Sequence, residues 1–252
     1  MRILTAVLLV SFAIPFSFAS AREVGGSRFS VELELGPVVQ SRNNVQIPNS
    51  ESGTRFSLVD LVGRGPYPAG RIYVTWNISG KHELRALLAP LKYTEQGVFS
   101  YPVEFEGGSF DPEVGTDATY KFNSWRLTYR YLLFDKPRMN GWIGFTAKIR
   151  DAKIRLEQEG ESSEKTDLGF VPLVHLCLDY QLSRRWGIIL DIDALAGGPG
   201  RAEDLSLKLC YSMNERLRVT GGYRTLEGGA DVEEVYNFAW LHYAVVSVLY
   251  GF

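Results

Sequence analysis

The sequence predicts an all-β fold, a single antiparallel transmembrane up-and-down β-barrel of about ten strands, with eight and twelve as the neighbouring even counts. Three observations predict it. The chain opens on a secretory leader, the remainder alternates apolar and polar residues with a period of two, and its connections alternate between short and long.

The leader comes first. Arg2 precedes an apolar run over residues 3–14, and Ala19-Ser20-Ala21 supplies the small-x-small pattern of a cleavage site before Arg22. That run is short for a membrane span, and no cysteine follows it, which argues against a lipid anchor. Residues 1–21 are therefore expected to be a Sec-type signal peptide and residues 22–252 one barrel domain. Glycine at 25 and tyrosine plus phenylalanine at 27 (13 plus 14) suit a turn-rich, aromatic-rich β protein. A net charge of −2 leaves no basic face, so a nucleic-acid partner is not expected. Cys177 and Cys210 are too few and too far apart for a disulfide scaffold, and both fall on inward positions.

The strands follow in order. Phe29, Val31, Leu33 and Leu35 alternate with Ser30, Glu32, Glu34 and Gly36, and Ile72, Val74, Trp76 and Ile78 with Tyr73, Thr75 and Asn77. Trp125, Leu127, Tyr129 and Tyr131 alternate with Ser124, Arg126, Thr128 and Arg130; Ile143, Phe145, Ala147 and Ile149 face away from Gly144, Thr146, Lys148 and Arg150. Leu205, Leu207, Leu209 and Tyr211 repeat the pattern against Ser206, Lys208 and Cys210. A soluble, lipocalin-like barrel would alternate in the same way, with its apolar face buried.

The connections separate the two readings. Those around residues 79–81, 135–140, 183–185 and 213–215 are short, and those at roughly residues 41–69, 94–118, 157–164, 197–203 and 227–234 are long. This is the order of periplasmic turns and extracellular loops. Tyr131, Phe134, Trp142, Tyr180, Trp186, Tyr211 and Tyr250 lie beside the short turns, where an interfacial aromatic girdle belongs. The last nine residues, Ala244-Val245-Val246-Ser247-Val248-Leu249-Tyr250-Gly251-Phe252, keep apolar residues at every second position back from the final aromatic. In this the chain resembles the bacterial (Gram-negative) outer-membrane barrel class. The resemblance implies an integral outer-membrane location, recognition of the last strand by the barrel assembly machinery, and contact with outer-membrane lipid and lipopolysaccharide.

Candidate functional residues fall into three groups. Glu32, Glu34, Arg71, Glu83, Arg85, Arg126, Arg130, Lys148, Arg150, Asp179, Asp191, Asp193, Lys208, Arg218 and Arg224 have inward parity. The lumen cluster is drawn from them as Arg126, Arg130, Lys148, Arg150, Asp191, Asp193 and Arg224. A ten-stranded lumen is narrow, so charges of both signs read as a paired polar core that largely fills it. The second group is an extracellular rim represented by Asp204, Glu227 and Tyr236, with Lys121, Asp151, Lys153 and Arg201 nearby.

The third group is the histidines. His82 belongs at a periplasmic turn, and His175 points inward. His242 has lipid-facing parity near the outer leaflet. In that position it resembles the histidine that outer-membrane lipases and lipid A deacylases place on their outer surface beside a serine. No outward serine is found for it on the adjacent strands by this reading, which leaves His242 an isolated catalytic candidate. The omptin surface proteases also have ten strands and use an Asp–His pair at an extracellular cleft; no histidine of this chain lies at that end of the lumen, so it departs from them. No metal or organic cofactor is implied. The sequence thus favours a non-enzymatic barrel with a structural or surface-interaction role. A narrow substrate-selective, porin-like channel and a lipid-modifying outer-membrane enzyme are the alternatives. The apolar segment over residues 57–62 is expected as a short helix or inner plug.

Overall fold

The computed structural model describes residues 27–198 and 200–252; the leader expected over residues 1–21 lies outside them. In chain order the elements are β1 (Phe29–Gln46), β2 (Phe56–Ser57), α1 (Leu58–Val62), β3 (Tyr67–Ser79), β4 (His82–Ala89) and β5 (Lys92–Val98). Then follow β6 (Val103–Phe105), β7 (Gly108–Phe110), β8 (Gly115–Lys136), β9 (Met139–Gln158) and β10 (Glu161–Gln181). The chain ends in β11 (Trp186–Gly197), β12 (Gly200–Ser212), β13 (Leu217–Val232) and β14 (Val235–Gly251).

Sequential antiparallel pairing runs β1–β3–β4–β8 and on through β14, which closes on β1. β4 and β5 both pair with β8, end to end on either side of Pro90, and act as one stave. The barrel is therefore a closed ring of ten staves, above which the far half of β10 pairs with β9 alone.

The wall is inside-out. Leu33, Leu207 and Val246 are 46%, 50% and 60% exposed on the outside, while Arg130 and His175 are 2% and 0% exposed within. A soluble barrel would bury the first set and wet the second, so the lipocalin-like alternative fails and a lipid-facing belt is the reading that fits. Trp142, expected in the girdle, is the exception. It sits on the inward parity of β9 and packs beneath Arg130, 5.3 Å from guanidinium carbon to ring centre.

The start of β1 and the end of β14 meet at one end of the ring, where Ser30 pairs with Gly251. At this near end the connections are short, as expected. The far end differs from expectation. The stretches 157–164, 197–203 and 227–234 are paired strands almost to their tips, and β9–β10 and β13–β14 turn in two residues. Cross-strand charge pairs help to hold them up: Arg155 faces Glu164 across β9–β10, and Lys153 Nζ lies 2.9 Å from a Glu164 oxygen. β1 likewise runs on to Gln46.

The apolar core lies at the far end of the ring, not in its middle. Phe56, Leu58, Leu61, Phe99, Phe105 and Phe110, from the two long connections, pack with Tyr67, Tyr93 and Leu156 of the wall. Ser57 caps α1 by accepting from Asp60 N–H, which turns Leu58 and Leu61 inward as part of this lid.

One irregularity bears on function. The β1–β14 register shifts between Gln40 and Arg42, so Ser41 is a bulge residue. Gln40 and Asn43 are buried inside, while Ser41 and Arg42 both face out.

Candidate functional site

The lumen is built on period-two placement. Asp204 of β12 accepts from Arg71, Arg126 and Arg224 at 3.0, 2.6 and 2.5 Å, each arriving from a different strand. Glu34 receives Arg224 and Lys208 at 3.1 and 3.0 Å. Lys208 also reaches Glu32 at 2.7 Å. Asp193 accepts from Arg126, the Thr146 hydroxyl and the His175 ring, all at 2.8 Å. Arg85 grips Asp191 through two nitrogens at 2.6 and 3.2 Å. Closer to the near end, Arg130 meets Glu83 at 2.6 Å and Arg218 meets Asp179 at 3.0 Å.

Seven carboxylates (Glu32, Glu34, Glu83, Asp179, Asp191, Asp193, Asp204) thus share the interior with eight basic side chains (Arg71, Arg85, Arg126, Arg130, Lys148, Lys208, Arg218, Arg224). So near a balance gives no net field to draw one sign of ion through, and charge-assisted bonds in a buried interior hold their partners firmly. Beside Arg71, Phe122, Leu226 and Tyr243 lies a cavity of about 10 Å³, roughly room for one water. His175, Asp191 and Asp193 stand close enough to suggest a cation site, but Arg85 and Arg126 already neutralise both carboxylates.

The expected lumen cluster divides. Arg126, Asp191, Asp193 and Arg224 join one network, and Lys148 is buried beside it with its ammonium 4.9 Å from the Phe122 ring centre. Arg130 is buried but belongs to the lower Glu83 pair. Arg150 stands apart, part-exposed and bonded to Asp167, on the side where β10 runs on beyond its pairing with β11. The rim group also divides. Asp204, expected at the rim, is instead 3% exposed at the centre of the network, since β12 extends well past it to Gly200. Glu227 lies on the outer face of the wall between Arg42 and Arg201. Tyr236 stands near a hairpin tip with the Arg55 guanidinium 3.8 Å from its ring centre.

His242 faces outward on β14, as its parity requires, and it is not isolated. The serine that sequence reasoning missed is Ser41, across the closing strand pair, with Oγ 2.8 Å from His242 Nε2. The other ring nitrogen, Nδ1, bonds the Tyr223 hydroxyl at 2.5 Å. Trp240 lies beside the imidazole, ring centres 5.2 Å apart, and donates its indole N–H to Thr225. The sequence offers a partial signal for Ser41: Val45 and Ile47 resume the alternation beyond the polar Ser41–Asn44 stretch, but the bulge that sets their face is not marked in it.

Comparison with known proteins bears on the fold alone. No family model matches this sequence, and no curated protein does. Among solved structures, the outer-membrane protease OmpT from Escherichia coli superposes with a TM-score of 0.55 at 9% identity, covering 89% of this chain and 96% of that one. The translocator domain of the autotransporter NalP from Neisseria meningitidis matches at a TM-score of 0.43 and 11% identity, covering 91% and 90%. Ail of Yersinia pestis matches at 0.36 and 7%, covering 87% and 99%. The OmpT likeness shows that this chain has the fold of outer-membrane β-barrels; the other two are too distant in shape to add to it.

Proposed function

We propose that the chain is an integral outer-membrane barrel with a sealed lumen, which acts at its surfaces and passes no solute. The near end would face the periplasm, and the tall hairpins the outside. The observation that carries this is the network centred on Asp204, where side chains from β3, β8, β12 and β13 meet across the full width of the ring. The lid of Phe56, Leu58, Phe105 and Phe110 closes the outer end a second time. A conducting path would have to break several buried ion pairs at once, each worth about 3–5 kcal/mol when one partner is removed.

Planar-bilayer recording on the refolded mature protein tests this. The expected trace is silent, while the same preparation migrates as a folded, heat-modifiable barrel. Discrete conductance steps that scale with salt would refute a sealed lumen and return the narrow-channel reading. Recognition of the last strand by the assembly machinery and contact with lipopolysaccharide at the outer wall belong to the same proposal.

A further inference from the structure

We propose that Ser41, His242 and Tyr223 form a serine-hydrolase site on the lipid-facing wall, directed at the acyl esters of phosphorylated outer-leaflet lipids. The inference rests on the membrane placement proposed above, though not on the lumen being closed.

The geometry is that of a nucleophile, a base and an orienter. With Nδ1–H donated to the Tyr223 hydroxyl oxygen, His242 presents the Nε2 lone pair to the Ser41 hydroxyl 2.8 Å away. Ser41 faces out by the same alternation as Leu35 and Val39, and the bulge at this point turns Arg42 out beside it, a device that re-aims side chains beside active sites. Polar groups are otherwise costly on a lipid-facing wall, and these three form a connected chain there.

The height also fits. His242 lies ten residues before Phe252 on β14. At about 3.3 Å per residue and a tilt near 45°, that is roughly 23 Å, close to the outer edge of an apolar band about 25 Å tall. Below the pair the wall offers Leu35, Ala244 and Val246 for acyl chains. One step above, about 7 Å along the strands, Arg42 and Arg201 both bond Glu227, with Arg42 also over Trp240. A lipid standing against this wall would put phosphate at the arginines and its ester carbonyl at Ser41 Oγ. Glu203, the cross-strand neighbour of Glu227, brings the upper patch close to neutral, which suits a headgroup carrying an amine as well as a phosphate.

The reaction balances with water alone. Ser41 Oγ bonds to the acyl carbon as its proton passes to His242 Nε2. The ester C–O bond breaks, and that proton goes to the departing alkoxide. A water then adds to the acyl carbon, giving a proton to His242; the bond to Oγ breaks and Ser41 is reprotonated. Ester and water become alcohol and fatty acid. Tyr223 is a positioning residue, acting through the imidazole.

The test uses the full mature barrel in detergent micelles, with a fluorophosphonate probe for Ser41 and two substrates, phosphatidylethanolamine micelles and purified lipopolysaccharide. The expected result is labelling of Ser41 and fatty-acid release from one or both lipids, which identifies the source. Ser41→Ala and His242→Ala, each still heat-modifiable, should lower release by at least about a hundredfold. Tyr223→Phe should lower it less and move the acid limb of the pH profile to lower pH, because the imidazolium loses its acceptor. Absence of labelling together with no release from either lipid would overturn the proposal, as would labelling or release that survives His242→Ala. A conducting barrel that still labels at Ser41 would sink the sealed lumen only.

Discussion

Asp204 offers the sharpest test of how the lumen is held. Its two oxygens serve three guanidiniums, Arg71, Arg126 and Arg224, all buried. Hydrogen bonds to charged groups contribute about 1.5–3 kcal/mol each, so three would total roughly 5–9 kcal/mol if nothing replaced them. The arginines keep other partners, however: Arg126 keeps Asp193, and Arg224 keeps Glu34 and the Tyr73 hydroxyl. The net cost of Asp204→Ala should therefore fall to about 3–5 kcal/mol, the usual penalty for orphaning a buried ionic group. Glu227 is a built-in control, because it also holds two arginines but at the exposed outer wall. Glu227→Ala should cost about 0–1 kcal/mol. Urea titration of both variants in phospholipid vesicles, followed by tryptophan fluorescence, gives the comparison at constant slope. If Asp204→Ala closes into a heat-modifiable barrel and loses less than about 1 kcal/mol, then the lumen is wetter than a packed ionic core and the reasoning fails.

Other expectations follow from the inside-out wall and the tall hairpins. Leu207 sits on the outer face of β12 four residues above Tyr211, so Leu207→Arg puts a charge near mid-belt and should cost about 2–4 kcal/mol in the same titration. Leu207→Ile should be close to silent there. On the β9–β10 hairpin, the hydrogen bond from Lys153 holds the Glu164 carboxyl below its ordinary value. A carboxyl depressed by folding adds stability above its unfolded pKa and loses it as pH falls through the folded one. The Glu164 side-chain resonance should thus titrate below the ordinary glutamate range, and return to it in Lys153→Met.

Much of the wall was legible because a strand's two faces are fixed by parity alone. Glu34, Arg126, Asp191 and Lys208 could be placed inside from their neighbours in sequence, and residues 57–62 could be placed as a short helix from their composition. Partnership was another matter. Arg71 and Asp204 are 133 residues apart, and which carboxylate meets which arginine depends on the stagger of ten strands, which no local pattern encodes. Asp204 reads as a rim residue from sequence because the charged, glycine-rich stretches at the tips of β12 and β13 look like loop but continue to pair. The same error hid Ser41. A run of Ser-Arg-Asn-Asn reads as a loop opening, and only the structure shows a bulge carrying the strand through it.

Ser41 and His242 are 201 positions apart and belong to the first and last staves, so their contact lies across the seam at which the ring is sealed. Every other stave can pair with its neighbour in an open sheet, but this pair of side chains meets only where the ring is closed. Whatever chemistry the pair performs therefore requires the closed ring. A barrel whose seam is still open carries both residues without the contact.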